Sequence, residues 1–200
     1  MLRLDSRQNL TVLAEAIQAG AGIEIINSLL DSIVPIDDSV LTDVFHEACW
    51  YGHLHIVHHL LEIGVNVSAQ NHEALMIACT RGHYNVVQRL VKAGIDVTAQ
   101  TNRALRIACR GGHYDIAQCL LDAGADVGDM SSNALLCACE HGYDKIVELL
   151  LQAGADVHAQ GSQAIRMATR QGFTSVVKLL QDAADDDTRS AKRARKNVAH

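Results

Sequence analysis

Residues 49–60 read CWYGHLHIVHHL, and the histidines in this stretch could do chemistry. His55, His58 and His59 stand at i, i+3 and i+4, a spacing that brings side chains onto one face of a helix. Imidazole is the commonest metal ligand and titrates near neutral pH, so this face could bind Zn²⁺ or Ni²⁺ or respond to pH. Glu62 is the carboxylate in register to serve as a base beside them. A second candidate chemistry is thiol chemistry. Cys49, Cys79, Cys109 and Cys139 recur at intervals of 30 residues. What either set can do depends on the elements that carry it.

Those elements are set by a repeat. Glycines fall at 52, 82, 112, 142 and 172, and alanines at 48, 78, 108, 138 and 168, again 30 apart. A fixed period of this size is the mark of a repeat architecture and governs the reading of any local motif. Each unit reads as two short helices. The first is expected to begin near Ala74, Ala104, Ala134 or Ala164, with Thr42, His72, Asn102, Ser132 and Ser162 in the N-cap column. Four of those five side chains carry an oxygen suited to an unpaired backbone N–H. The second helix shows apolar pairs such as Val86, Val87, Leu90 and Val91, which line one helical face. It is expected to stop at Gly64, Gly94, Gly124 or Gly154 through a left-handed C-terminal cap.

Composition agrees with a mostly helical chain. It has 200 residues, 48% of them hydrophobic, with one proline and 4% aromatics, so the core must be aliphatic and alanine-rich. The formal charge of −6 argues against a nucleic-acid partner. No apolar run is long enough to span a membrane, and the N-terminal residues lack the pattern of a secretory signal. Six cysteines in such a chain suggest reduced thiols and a cytoplasmic setting.

The segments GHYNVVQRLVKAGIDV and GHYDIAQCLLDAGADV resemble the second half of an ankyrin repeat. The resemblance covers five tandem copies, 42–71, 72–101, 102–131, 132–161 and 162–184. It implies an all-α solenoid of stacked helix pairs. The family's usual repeat has 33 residues and a T-P-L-H stretch. Here the repeat has 30, and EALM, RALR, NALL and QAIR stand in that place. The missing residues imply shortened β-turn fingers. Residues 1–41 are expected to hold a divergent capping helix pair and a linker, VPIDDSV. Residues 185–200 lack apolar periodicity and are expected to be a disordered, charged tail.

Within this frame the candidate chemistries shrink. Stacked helices sit about 8–10 Å apart, so cysteines of one column exceed the ~7 Å reach of a disulfide and cannot converge on one zinc. They read as small buried hydrophobes, and Cys119 and Cys137 fall in columns that read as core or near-core. His53, His83 and His113 occupy the family's G-H position, where Tyr143 and Phe173 also stand, so a packed ring is the requirement. His55, His58 and His59 fall on columns that are polar elsewhere, which makes them a convex-face patch. The sequence contains no G-x-x-x-x-G-K-[ST], H-E-x-x-H or G-x-S-x-G pattern, and a uniform solenoid offers no deep pocket. The chain is expected to be no enzyme and to need no cofactor.

Function is then expected from columns that the repeat leaves variable. Trp50 and Tyr51, Arg81, Arg110, Glu140 and His141, and Arg170 precede the glycine column. The family resemblance implies that such positions line a concave groove and meet protein partners. Arg103, Arg106 and Arg166 extend a basic stripe, with an ordinary solvated face bridged by Glu140 to Arg110 and Arg170 as the competing reading. Arginine suits carboxylates because its planar fork pairs bidentately. The expected partner is a protein with an acidic surface, met by a monomer without nucleic acid or membrane. Trp50 is the only tryptophan, and it reads either as an interface anchor or as part of the N-terminal cap. Lys192, Arg193, Arg195 and Lys196 form a basic cluster of the kind that directs nuclear import.

Overall fold

A computed structural model describes residues 6–32, 38–128 and 133–198. Every element in them is an α-helix: α1 Ser6–Gln18, α2 Ile23–Ser32, α3 Asp38–Tyr51, α4 Leu54–Glu62, α5 Ala69–Arg81, α6 Tyr84–Lys92, α7 Ala99–Gly111, α8 Tyr114–Asp122, α9 Asn133–His141, α10 Asp144–Gln152, α11 Ala159–Gln171 and α12 Thr174–Val198. The described residues contain no strand. Contacts group the chain into two compact units, residues 1–100 and 101–200.

Each unit has two layers. In the first, α1 packs on α3 and α3 on α5, while α2 packs on α4 and α4 on α6. In the second, α9 packs on α11, and α10 lies against both α8 and α12. The apolar pairs of the second helices form the seam: Ile56, Val57 and Leu60, Val86, Val87 and Leu90, Ile116, Ala117 and Leu120, and Ile146, Val147 and Leu150 are all buried. The Ala/Cys columns of the first helices are buried too, and their small side chains let neighbouring helices approach.

Rings and glycines link successive turns within each unit. A Cβ on Gly52 would lie 2.6 Å from the His83 ring, and one on Gly142 would lie 2.7 Å from the Phe173 ring. Gly20 and His53, and Gly112 and Tyr143, repeat the arrangement. Through Gly20, α1 and α2 meet the following helix pair by the same contact that links the later pairs.

Two expectations are corrected. The first concerns the N-cap column. Thr42 lies inside α3, and its Oγ1 donates to the Asp38 carbonyl at 2.7 Å. Asn102 is buried and accepts the Asp126 N–H at 2.8 Å. His72, Asn102 and Ser162 have φ of 65°, 52° and 60°. These left-handed residues lie in the opening turns of α5, α7 and α11, which begin at Ala69, Ala99 and Ala159, before the expected starts. Ser132 lies outside the described residues, as does most of the VPIDDSV linker. The second correction concerns the tail, which is helical through Val198. Gly64, Gly94, Gly124 and Gly154 end the other second helices with φ between 84° and 96°. Ala184 stands in that column, supplies no left-handed cap, and no glycine or proline follows it.

Candidate functional site

The ends of α3 and α5 hold the candidate contact residues of the first unit. Trp50, in the last turn of α3, is 43% exposed. The Arg81 guanidinium lies over its ring, 4.6 Å from the centroid. His83 Nε2 stands 2.9 Å from the Trp50 carbonyl. A carbonyl can only accept, so Nε2 carries the hydrogen and His83 donates. The next helix pair therefore fixes both the backbone and the side chain of Trp50. Tyr51 is half-buried, its ring stacked at 6.1 Å on that of His53.

One face of α3 continues from these residues into a cleft of about 580 Å³. Val40, Asp43, Val44, Glu47 and Tyr51 line it at helical spacing, opposite Leu10, Leu13 and Ala14 of α1. Trp50 lines the same cleft, so it is a partly exposed wall and is not packed away under the N-terminal pair. His46, also in the lining, is held below its ordinary pKa, first by burial, with Glu73 and Asp43 pulling the other way. Burial and the like charge of Asp43 push the Glu47 carboxyl up.

In the second unit, Arg103, Arg110, Glu140, His141, Arg166 and Arg170 are exposed and Arg106 is half-buried. Among the described residues Glu140 forms no ion pair with Arg110 or Arg170. His141 is tied to its own turn: Nδ1 donates to the Cys137 carbonyl at 2.9 Å, and the ring stacks on Tyr143 at 5.7 Å. The column of His46, Met76, Arg106, Leu136 and Arg166 is less open than the sequence suggested. Met76 in it is core, because the column turns partly toward the neighbouring helix.

His55 and His59 of α4 form a joint with the N-terminal helix pair. His55 Nε2 donates to the Ala21 carbonyl at 3.1 Å, and His59 Nε2 lies 2.6 Å from Asn27 Oδ1. His58 pairs with Glu62 at 3.3 Å. Two of the three rings thus engage the N-terminal helix pair, and no group of three His, Cys, Asp or Glu among the described residues is placed to hold a metal. All six cysteines are free thiols, and Cys49, Cys79, Cys109, Cys137 and Cys139 are buried. Burial pushes Cys49, Cys109 and Cys139 up to about 12, the opposite of an activated nucleophile.

A family model for ankyrin repeats, in three copies, matches residues 45–131. A second, described as the LRRK2 ANK repeat, matches residues 97–191. The chain belongs to the ankyrin-repeat family. No curated protein matches it. Ankyrin repeats generally serve as protein–protein interaction modules, and no described helix of this ankyrin-repeat chain is long and apolar enough to cross a membrane.

Two features were missed in reading the sequence. The carboxylates and amide of Asn66, Asp96, Asp126 and Asp156 each accept the N–H two residues on, at 2.7–2.9 Å, and start the turns after α4, α6, α8 and α10. Their regular spacing was the available signal, since Asx turns have this form. The cleft had no such signal, because α1 has no register to the repeat. The side chains of Lys192, Arg193, Arg195 and Lys196 lie outside the described residues.

Proposed function

We propose that this ankyrin-repeat chain is a non-catalytic binding module that meets a protein partner through the exposed ends of its first helices. The observation that carries the reading is Trp50, an exposed tryptophan held in place by Arg81 and His83. An exposed aromatic already fixed in one conformation loses little freedom on binding, and tryptophan is among the strongest interface anchors. Tyr51 and Arg81 complete the contact in the first unit. In the second unit Arg103, Arg106, Arg110, Arg166 and Arg170, with Glu140 and His141, offer carboxylate-binding forks that favour an acidic patch on the partner.

The raised thiol values and the absence of a motif for nucleophilic or metal chemistry favour binding over catalysis. Affinity capture with the intact chain tests the reading against a Trp50→Ala/Arg110→Glu variant. A protein partner retained by the wild type should be lost from the variant while the thermal melt stays nearly unchanged. Equal capture by both, or loss of stability with retention of the partner, would overturn the reading.

A further inference from the structure

We infer that the cleft between α1 and α3 docks a short segment of a protein partner that carries a large apolar anchor side chain flanked by lysine or arginine. This rests on the protein-binding reading above and narrows it for the first unit. It assigns that unit a partner chemistry opposite in sign to the one its second unit favours.

The apolar half of the argument comes from the walls. Leu13 and Val44 form the floor, and Leu10, Trp50 and Ile77 stand around it. At about 580 Å³ the cleft falls in the size range of sites that enclose a ligand group. Among the described residues every large hydrophobic side chain that is exposed lies between Leu10 and Tyr84, and two of them, Leu10 and Trp50, border this cleft. Exposed apolar surface beside a concavity marks an interaction site.

The charged half comes from Asp43 and Glu47, one helical turn apart on the α3 face that lines the cleft. Neither has an ion-pair or hydrogen-bond partner among the described residues. Asp43 and Glu47 also sit in a long stretch without a basic residue, bounded by Arg7 and by Arg81, whose guanidinium is stacked on Trp50. From residue 8 to residue 80 there is no lysine and no arginine, whereas Glu15, Glu24, Asp31, Asp37, Asp38, Asp43, Glu47, Glu62 and Glu73 all fall in that interval. Like charges one turn apart repel, and at Glu47 burial first and the Asp43 charge second push the carboxyl up. A partner cation at the rim relieves it, while an acidic partner makes it worse. The anchor enters between Leu10 and Trp50, and its basic neighbours meet Asp43 and Glu47.

Trp50 is the only tryptophan, so its emission reports on the cleft without a label. The probes are a leucine–lysine peptide, LKKLLKLLKKLLKL, and its leucine–glutamate counterpart, LEELLELLEELLEL, titrated into the full chain. The lysine peptide should shift Trp50 emission to the blue and saturate, and the glutamate peptide should not. Asp43→Asn/Glu47→Gln should weaken the lysine peptide about tenfold, as loss of two partly screened charge contacts does, with an unchanged melt. Leu10→Glu, also at an exposed position, should abolish the shift. An equal response to both peptides, or binding undiminished in Asp43→Asn/Glu47→Gln, overturns the proposal and leaves the general protein-binding reading intact. No response of Trp50 to either peptide overturns it too, and the capture experiment then decides the general reading independently. If the chain alone sediments as a dimer that Asp43→Asn dissociates, the cleft belongs to a second copy and the proposal falls.

Discussion

The Arg81 guanidinium covers one face of the Trp50 ring, 4.6 Å from its centroid, although the two residues sit 31 positions apart on successive first helices. Cation–π contact at an exposed site contributes roughly 0.5–1 kcal/mol. Arg81→Ala should therefore lower the unfolding free energy by no more than about 1 kcal/mol. It should also change Trp50 emission in the native state and increase quenching by iodide. Unchanged emission in Arg81→Ala would mean that the stack does not persist in solution.

The ring-on-glycine contacts predict a contrast between two glycines of similar conformation. Gly142 has φ 72°, and its Cβ would meet the Phe173 ring at 2.7 Å. Gly154 has φ 94° and nothing within 4 Å. Gly154→Ala should cost about 1–2 kcal/mol, from the left-handed backbone alone. Gly142→Ala adds displacement of the ring and should cost about 1–3 kcal/mol more. Urea unfolding of the two variants measures the difference, and Gly142→Ala/Phe173→Ala should show non-additivity that Gly154→Ala/Phe173→Ala lacks.

The buried thiols predict a one-sided pH dependence. Cys49, Cys109 and Cys139 titrate near 12 when folded, against 9.0 for the ordinary thiol. A folded value above the unfolded one contributes stability that is complete below pH 9.0 and is lost as pH rises toward 12. Each such thiol removes about 1.4 kcal/mol per pH unit in that interval. Denaturant midpoints measured from pH 8 to 11 should fall, and Cys109→Ala should shallow the slope by about one thiol's share. At pH 8 the native chain should react slowly with a thiol reagent at its buried cysteines, and urea should release them.

Helix α12 predicts the effect of restoring the missing cap. Ala184→Gly puts a left-handed-tolerant residue in the column where Gly154 ends α10, and glycine costs about 1 kcal/mol within a helix relative to alanine. The variant should lose helix content by circular dichroism at 222 nm without a shift in the main unfolding transition. Retention of the full signal would show that residues beyond 184 are held by more than the lack of a stop.

Much of this was legible because the repeat pins side chains to columns. The buried Ala48, Ala78, Ala108 and Ala138, the thiols beside them and the glycine-ended second helices follow from a period that any one copy would not reveal. Reading went astray where a residue's role is set outside its own copy. Asn102 looked like a cap for its own helix, yet it accepts the N–H of Asp126, 24 residues on. The candidate site was legible at Trp50, Tyr51 and Arg81, which break the column pattern. It was not legible at Leu10, Asp43 and Glu47, because α1 shares no register with the repeats and a carboxylate on an ordinary helix gives no sign that its face borders a cleft.

The ankyrin match begins at residue 45, within α3 and seven residues into it. Residues before that point supply Leu10, Leu13, Ala14, Val40, Asp43 and Val44, more than half of the cleft lining, and the Gln18 carbonyl that faces His53. Anyone trimming the gene to the recognisable repeats would thus saw a helix in two, strip the first ring of its seat and discard one wall of the docking cleft. The product would still carry every residue that identifies the family, and it would be the wrong fragment in which to look for a partner.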